Sequence, residues 1–196
     1  MNAIPPTALR RLVHAYDRLW RRLHRVRRID ALLSLSVEPY RGRPRSLPAG
    51  IHLEHGARLG ILHFNHTSFA DMGRSDAGNL RAALQFRRQL FRSLRQLAQR
   101  AQQEPALGRI EVFYGVTWFR PHGERVGFVV QRLPDGPRTR LRRLHFRILL
   151  RAFFPGLAER ERGRLHPHAF WLTRQALVAN FGDSPQGGIT DRAATG

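Results

Sequence analysis

The sequence predicts an α+β fold: one domain with a mostly antiparallel sheet and about four helices packed on it. Three observations support this prediction. Long segments repeat apolar residues at three- and four-residue steps, as amphipathic helices do. Shorter segments alternate with a period of two or are rich in β-branched and aromatic residues, as strands are. The chain has 196 residues and is 42% hydrophobic, which is enough for a single core.

The predicted elements alternate between groups of strands and helices. They are a helix over 7–29, strands over 32–40, 46–53 and 59–64, a helix over 76–103, a hairpin of 109–120 and 125–133, and helices over 138–153 and 167–181. The tight turns between the short strands favour antiparallel pairing. Pro167 suits the first turn of the last helix. Gly127, inside the second strand of the hairpin, indicates a bulge or a close approach by another backbone.

We divide the chain into a basic amphipathic helix (1–30), an α+β domain (31–182) and a polar, glycine-rich tail (183–196) that we expect to be disordered. The first helix can lie on an anionic membrane, or it can pack on the sheet and leave its arginines in water. Its apolar stripe consists of Leu9, Leu12, Val13, Tyr16, Leu19, Trp20, Leu23 and Val26. In the helix over 138–153 we expect the inward side chains to be Leu141, Leu144, His145, Ile148 and Leu149.

The net charge and the composition indicate which classes of partner suit this protein and exclude others. The formal net charge is +20, with 14 acidic residues against 34 basic ones, all of them arginine. Such an excess favours nucleic acid, acidic lipid or a phosphorylated substrate. The absence of cysteine excludes disulfides, thiolate zinc sites and a cysteine nucleophile. No signal peptide is recognised and no apolar run approaches the ~20 residues that span a bilayer, so we expect a cytoplasmic protein, soluble or peripheral to the inner face of the membrane.

Side chains that can act in acid–base catalysis or bind ligands are most concentrated at the end of the strand over 59–64. Asn65 and His66 begin the pattern Asn-His-x-Ser-x-x-Asp, which ends at Asp71. In such an arrangement the carboxylate orients the imidazole, whose other nitrogen takes a proton from an attacking hydroxyl. The pattern resembles the first motif of the glycerolipid acyltransferases. This resemblance implies an acyltransferase with His66 as base, Asp71 as its orienting residue and Arg120 binding a phosphate.

A second resemblance covers more of the chain, from about residue 30 to 182. The segments that carry it come in the following order: Tyr40 to Pro44, Gly56 with Leu59, Leu62 to Asn65, Ser93-Leu94 with Leu97-Ala98, Gly115 to Thr117 with Arg120, Arg125 to Phe128, Pro134, and Pro167 with Trp171 to Arg174. Together they resemble the YkoP-like domain, which follows a polysaccharide deacetylase domain in many bacteria and stands alone in others.

The YkoP-like resemblance implies a link to envelope polysaccharide or lipid metabolism. With the charge, it leads us to expect an accessory domain that recognises an anionic lipid or a phosphorylated sugar precursor, with a glycosyltransferase or deacetylase as a potential partner. His63, Asn65 and Arg120 are the predicted ligand-binding residues, assisted by Arg41. Whether the protein is an enzyme is left open at this point.

The residue types also suit two other functions, nucleic-acid binding and metal binding. A nucleic-acid-binding protein would use the arginines for phosphate contacts, but no glycine-rich phosphate loop, zinc finger or RNA-binding signature is present. His63, His66 and Asp71 are chemically able to hold a metal. However, histidines three residues apart in a strand or turn do not share one face, so no metal and no other cofactor is predicted.

Overall fold

The computed structural model describes residues 6–48, 50–65, 79–118, 127–153, 158–159 and 165–182. The expected disordered tail over 183–196 lies outside these ranges. The described helices are α1 (Pro6–Leu23), α2 (Asn79–Gln103), α3 (Pro105–Gly108), α4 (Pro137–Phe153) and α5 (Arg174–Phe181). The described strands are β1 (Arg27–Arg28), β2 (Leu33–Pro39), β3 (Arg45–Leu47), β4 (Ile51–Leu53), β5 (Arg58–Phe64), β6 (Val112–Thr117), β7 (Val129–Arg132) and β8 (His168–Thr173). The predicted α+β class is confirmed.

The main sheet has six strands in the order β1-β2-β5-β6-β8-β7. All neighbours are antiparallel except β5 and β6, which run parallel. Parallel neighbours need a long crossover, and the segment that contains α2 supplies it. A separate two-stranded sheet pairs β3 with β4.

One face of the main sheet packs on α2, α3 and α5. Leu33 and Leu35 of β2 point to this side and are 1% exposed. They form a core with Phe113 and Leu172 of the central strands and with side chains of the three helices, among them Leu94, Leu97, Leu107 and Leu177. The alternation of β2 sends Ser34 and Ser36 to the opposite face. This opposite face is covered by α1, α4 and the β3–β4 hairpin.

The predicted first helix is too long at its C-terminal end. It ends at Leu23, after which Arg25 adopts a left-handed conformation (φ 48°). The N–H of Val26 then donates to the carbonyl of Arg21, and the N–H of Arg25 to that of Arg22. This is a Schellman motif, which stops a helix by satisfying its last carbonyls. The following residues pair with β2 as β1, because backbone pairing at the sheet edge replaces helical hydrogen bonds.

The predicted last helix is wrong over its first half. Residues 168–173 form β8, and the helix begins only at Arg174, with Thr173 as its N-cap. Ala169 to Leu172 form a continuous buried run because β8 lies inside the sheet between β6 and β7. A short, uninterrupted apolar run does not distinguish a buried strand from a helix.

The insertion of β8 also overturns the predicted hairpin. β6 and β7 do not pair with each other; each pairs with β8 instead. Gly127 lies just before β7, not inside it. It was predicted to mark a bulge or the approach of another backbone, but the nearest atoms are side-chain atoms: a Cβ built there would lie 3.0 Å from Cβ of Ala176, and φ is +85°. The strand predicted over 46–53 is two short strands, β3 and β4, separated by a turn that contains Pro48 and Gly50 (φ +68°).

Candidate functional site

His63 lies near the end of β5 on the sheet face covered by α1. Its Nε2 is 3.0 Å from Oγ of Ser36 on the neighbouring strand. The ring of Trp20 from α1 meets the imidazole edge-on, with centroids 4.7 Å apart. Next to this contact, Arg21 of α1 donates to Oγ of Ser34. His63 therefore belongs to a half-buried polar layer beneath α1.

Asn65 closes the end of the β2–β5 ladder. Its Nδ2 donates to the carbonyl of Ala31 at 3.0 Å, and its backbone N–H donates to the carbonyl of Leu32 at 2.7 Å. Both contacts fix the chain where it leaves β5. Asn65 follows His63 by two residues in the chain, and its contacts hold the backbone in place.

Of the other predicted site residues the structure describes only Arg41, and it does not join this pair. Arg41 is exposed on the loop after β2. In the β2–β5 register, Ser34 faces His63 while Pro39 faces Arg58, so Arg41 lies beyond the opposite end of the ladder. Arg120, and the predicted catalytic pair His66 and Asp71, lie outside the described residues, and their roles stay predictions.

Several segments that carry the family resemblance have clear packing roles. The hydroxyl of Tyr40 donates to the carbonyl of Arg43, and a Cβ at Gly42 would lie 2.2 Å from that hydroxyl oxygen. A Cβ at Gly115 would lie 2.1 Å from Cζ of Phe170. Both glycines therefore make room for an aromatic ring, which is a structural function.

The structure places an apolar surface on α1 and α4, here called the α1–α4 face, and sequence reasoning missed that the two helices share it. Its α4 members were predicted to point inward, which is wrong for all of them, and also for His145 beside them. Its α1 members belong to the stripe for which both a membrane contact and packing on the sheet were predicted. The members of the face are Leu12 (63% exposed), Tyr16 (56%), Leu19 (60%) and Leu23 (72%) on α1, and Leu141 (68%), Leu144 (53%) and Ile148 (37%) on α4. Their four-, three- and seven-residue spacings align them along one side of each helix.

The two helices are held side by side by a small core of their own. Val13 of α1 packs with Phe146, Leu149 and Leu150 of α4, all of them buried. The rings of Tyr16 and His145 meet at the seam, with centroids 6.4 Å apart. The two exposed stripes are therefore neighbours on one surface.

Arginines flank this surface on both outer sides. Arg11, Arg18 and Arg22 of α1 are exposed and share one face by their seven- and four-residue spacings; Arg140, Arg147 and Arg151 of α4 repeat the same spacings. The sequence of α4 contains no acidic residue, and that of α1 contains only Asp17. The α1–α4 face is thus apolar along its middle and positively charged along its edges.

His145 adds to the apolar character of the seam. Although its side chain keeps contact with solvent, packing against its neighbours lowers the pKa of His145 below the ordinary value of 6.5, and the carboxylate of Asp17 opposes this shift. At neutral pH the imidazole is accordingly uncharged.

The N-terminal end of α4 is held by an ion-pair cluster at the β7–α4 turn. Arg143 donates to Oδ1 of Asp135, and His166 lies 3.0 Å from Nη2 of Arg143 and 2.7 Å from Nε of Arg132. The hydrogen bond from Arg143, with the positive charges around it, lowers the pKa of Asp135 below its ordinary value of 3.8.

A carboxyl group whose pKa is lower in the folded than in the unfolded protein stabilises the fold at pH values above its unfolded-state pKa. This stability is lost as the pH falls through its folded-state pKa. We therefore expect Asp135→Asn to be slightly less stable than the wild type at pH 7. The difference should shrink below about pH 4. Thermal melts across this pH range measure it; a difference that grows on acidification would contradict the assignment. Glu54→Gln, also exposed, is the control for removal of a surface carboxylate.

The described ranges show neither a metal site nor a membrane-spanning helix. No three histidine, aspartate or glutamate side chains come together there as metal ligands would. None of the helices in the part of the chain that the structure describes combines the length and apolar character needed to cross a bilayer.

The fold and surface define a small basic α+β domain with an arginine-edged apolar face. The family described as the YkoP domain matches residues 7–181, a range that includes all of α1 except Pro6. The chain therefore belongs to the YkoP domain family, and the predicted resemblance is confirmed. A search of the curated proteins and a search of the solved structures each found no match.

Proposed function

We propose that this YkoP-domain protein binds peripherally to an anionic membrane surface through the α1–α4 face. The observation that carries the proposal is the contiguous apolar stripe, exposed to solvent and edged by six arginines. An amphipathic helix with a basic polar face lies in the membrane interface with its apolar side among the acyl chains. Here two such helices, packed side by side, present one surface of this kind.

The expected binding free energies favour an anionic membrane as the partner of this face. Full burial of a leucine side chain contributes roughly 1.5–3 kcal/mol to binding, and a partly exposed leucine contributes in proportion to the area it still exposes. Each arginine near an anionic surface adds about 1 kcal/mol. The described ranges leave seven large apolar side chains and six arginines available on this face. Both contributions act together only on a partner that is apolar inside and anionic at its surface.

The competing occupants each use half of the surface. A nucleic acid would pair with the arginines but would leave the leucine stripe in water. A second copy of the chain would cover the leucines but would bring the arginine edges of two strongly cationic molecules together. An anionic lipid surface satisfies both parts of the face.

The family resemblance suggests which membrane this is. Its link to envelope polysaccharide or lipid metabolism leads us to propose the inner face of the cell-envelope membrane as the surface, and enzymes of envelope synthesis or modification as neighbours. In this proposal the domain acts as an accessory module that holds its partners at the lipid surface.

The test uses two triple variants with the same net charge. The first is Arg11→Gln, Arg18→Gln and Arg22→Gln on α1; the second is Arg88→Gln, Arg92→Gln and Arg95→Gln on α2, which are also exposed but lie on the other side of the sheet. We expect the α1 variant to lose about 3 kcal/mol, or roughly a hundredfold, in binding to phosphatidylglycerol-containing vesicles. The α2 variant should lose much less.

Co-sedimentation with vesicles at low salt measures the binding, and vesicles of phosphatidylcholine alone serve as the neutral control. Equal losses in the two variants would mean that net charge, not the α1–α4 face, governs binding. If the wild-type protein did not co-sediment with anionic vesicles, the proposal would be wrong.

A further inference from the structure

A buried indole N–H on the hairpin-covered side of the sheet has no acceptor in the described part of the chain. Trp171 lies in the middle of β8, is 5% exposed, and its Nε1 makes no hydrogen bond with any described residue. Buried tryptophan N–H groups normally find a partner. An unpaired donor at this position therefore calls for an acceptor from elsewhere.

Trp171 forms an aromatic pair with Tyr114. The two residues face each other in the β6–β8 register, and their ring centroids are 4.3 Å apart at an interplanar angle of 41°. Tyr114 is half-buried, so one end of the pair reaches solvent. The pair is a rigid platform, since both residues lie in central strands of the sheet.

Two guanidinium groups meet this pair from different elements. Arg45 of β3 lies over the Trp171 ring, with Cζ 5.7 Å from its centroid, and donates to Oε1 of Gln131 at 2.9 Å. Arg142 of α4 donates to the hydroxyl oxygen of Tyr114 at 3.2 Å. Among the described residues, neither arginine is paired with a carboxylate. Two exposed positive charges thus meet on one aromatic pair with only neutral partners.

The chemistry of this group is that of donors. A guanidinium offers five N–H donors and no acceptor, and an indole offers one donor. The Tyr114 hydroxyl accepts from Arg142 and keeps its own proton to donate. A set of donors with two positive charges matches an anion with several acceptor oxygens, and arginine forks suit phosphate in particular.

We propose that Arg45, Arg142, Tyr114 and Trp171 bind the phosphoryl group of a ligand, with Gln131 available to a neighbouring hydroxyl. Arg45 leaves the Trp171 ring when the ligand arrives and opens the way to the indole N–H. This exchange is favourable because Arg45 gives up one cation–π contact and gains charge-assisted hydrogen bonds to an anion. The phosphoryl group can come from a soluble sugar phosphate or from a lipid headgroup.

The test is binding to three probes, measured by calorimetry without vesicles: inorganic phosphate, glucose 1-phosphate and a short-chain phosphatidic acid below its micelle concentration. Because no membrane is present, the result is independent of the α1–α4 face. Binding of glucose 1-phosphate supports a soluble ligand, and binding of the phosphatidic acid alone supports a lipid source. No binding of any probe overturns the proposal.

The variants identify the site. We expect Arg45→Gln with Arg142→Gln to weaken binding about a hundredfold, since two charge-assisted hydrogen bonds are lost. Arg92→Gln with Arg109→Gln, two exposed arginines elsewhere, is the matched control and should leave binding within about twofold. Equal effects of the two pairs would mean adventitious anion binding only.

Trp171→Phe keeps the aromatic ring but removes the N–H, and should weaken binding about fivefold. A ¹H–¹⁵N spectrum gives a direct readout, because the chain has three tryptophans and hence three indole signals. The signal that disappears in Trp171→Phe should shift when the binding probe is added to wild-type protein, while the Trp20 and Trp118 signals stay. An unmoved Trp171 signal during saturable binding would contradict the proposed contact.

Discussion

Replacement of three exposed leucines by glutamine, Leu12→Gln, Leu19→Gln and Leu144→Gln, should nearly abolish binding to anionic vesicles. Each side chain is more than half exposed in the free protein, and its burial in the membrane interface contributes about 1 kcal/mol. The three together amount to about 3 kcal/mol, or roughly a hundredfold in the partition coefficient. Co-sedimentation with phosphatidylglycerol-containing vesicles measures the change.

The same variant should fold as stably as the wild type. An exposed leucine contributes little to the free energy of unfolding, so urea denaturation should show a difference within about 0.5 kcal/mol. Leu84→Gln on α2, where the side chain is 46% exposed, is the control for a single leucine and should leave vesicle binding unchanged. If the triple variant bound vesicles like the wild type, membrane docking on this face would be wrong.

Sedimentation velocity of the wild type separates the membrane from a second copy of the chain. We expect a monomer, because two arginine-edged faces repel each other. A dimer that dissociates in the leucine variant would assign the face to self-association and would contradict the proposal.

Asp30→Ala should cause a large loss of stability, although Asp30 lies outside the hydrophobic core. Oδ1 of Asp30 accepts from the backbone N–H groups of Leu32 and Leu33 at 2.9 and 2.8 Å. Oδ2 accepts from Oγ of Ser93 at 2.6 Å and lies 3.4 Å from Nε2 of Gln89. This carboxylate therefore ties the β1–β2 turn to α2, and the donors it serves include the fully buried hydroxyl of Ser93.

Loss of the carboxylate leaves buried donors unpaired, each at a cost of about 1–3 kcal/mol. We expect Asp30→Ala to reduce the free energy of unfolding by about 3 kcal/mol, which corresponds to a fall of roughly 6–12 °C in Tm for a chain of this size. Asp30→Asn, which keeps one acceptor oxygen, should lose less. A loss below about 1 kcal/mol in urea denaturation would show that water or another group replaces these contacts.

Pairing Asp30→Ala with Ser93→Ala tests the link to α2 directly. Because the two side chains share one hydrogen bond, the double variant should lose less than the sum of the single variants. Additive losses would mean that Ser93 is satisfied by the carbonyl of Gln89, to which its hydroxyl also lies close at 2.9 Å.

The long helices α2 and α4 and the strands β2 and β5 were predictable because their sequence periods are unambiguous. The direct pairing of β2 with β5 was not predicted, since the short strands were expected to pair across the turns between them, whereas β3 and β4 form a separate sheet. α4 follows its predicted range within one residue. β8 was not predictable in this way, since its buried run between two other strands has the same apolar character as a helix packed in a core. The prediction of a β6–β7 hairpin was wrong for a related reason. Strands adjacent in the chain usually pair, but β8, which comes much later in the sequence, lies between β6 and β7 in the sheet.

In the candidate site, too, some residues were predictable from the sequence and others were not. His63 and Asn65 were singled out for their chemistry, and the structure gives them partners in Ser36 and in the carbonyl of Ala31. The Tyr114–Trp171 pair was not singled out, because its two members are 57 residues apart in sequence and meet only through the β6–β8 register. Residue type alone does not mark a tryptophan or an arginine as part of a site; here the site becomes visible only when the sheet brings the residues together.

The sequence by itself determined the α+β class, the strongly basic character, the amphipathic nature of α1 and α4, and membership of the YkoP domain family. Only the tertiary structure decided which apolar side chains stay exposed. A helical period defines a stripe but not the width of the contact that will cover it. Because α1 and α4 bury their neighbouring flanks against each other, Val13 and Phe146 enter the core while Leu12 and Leu141 remain at the surface.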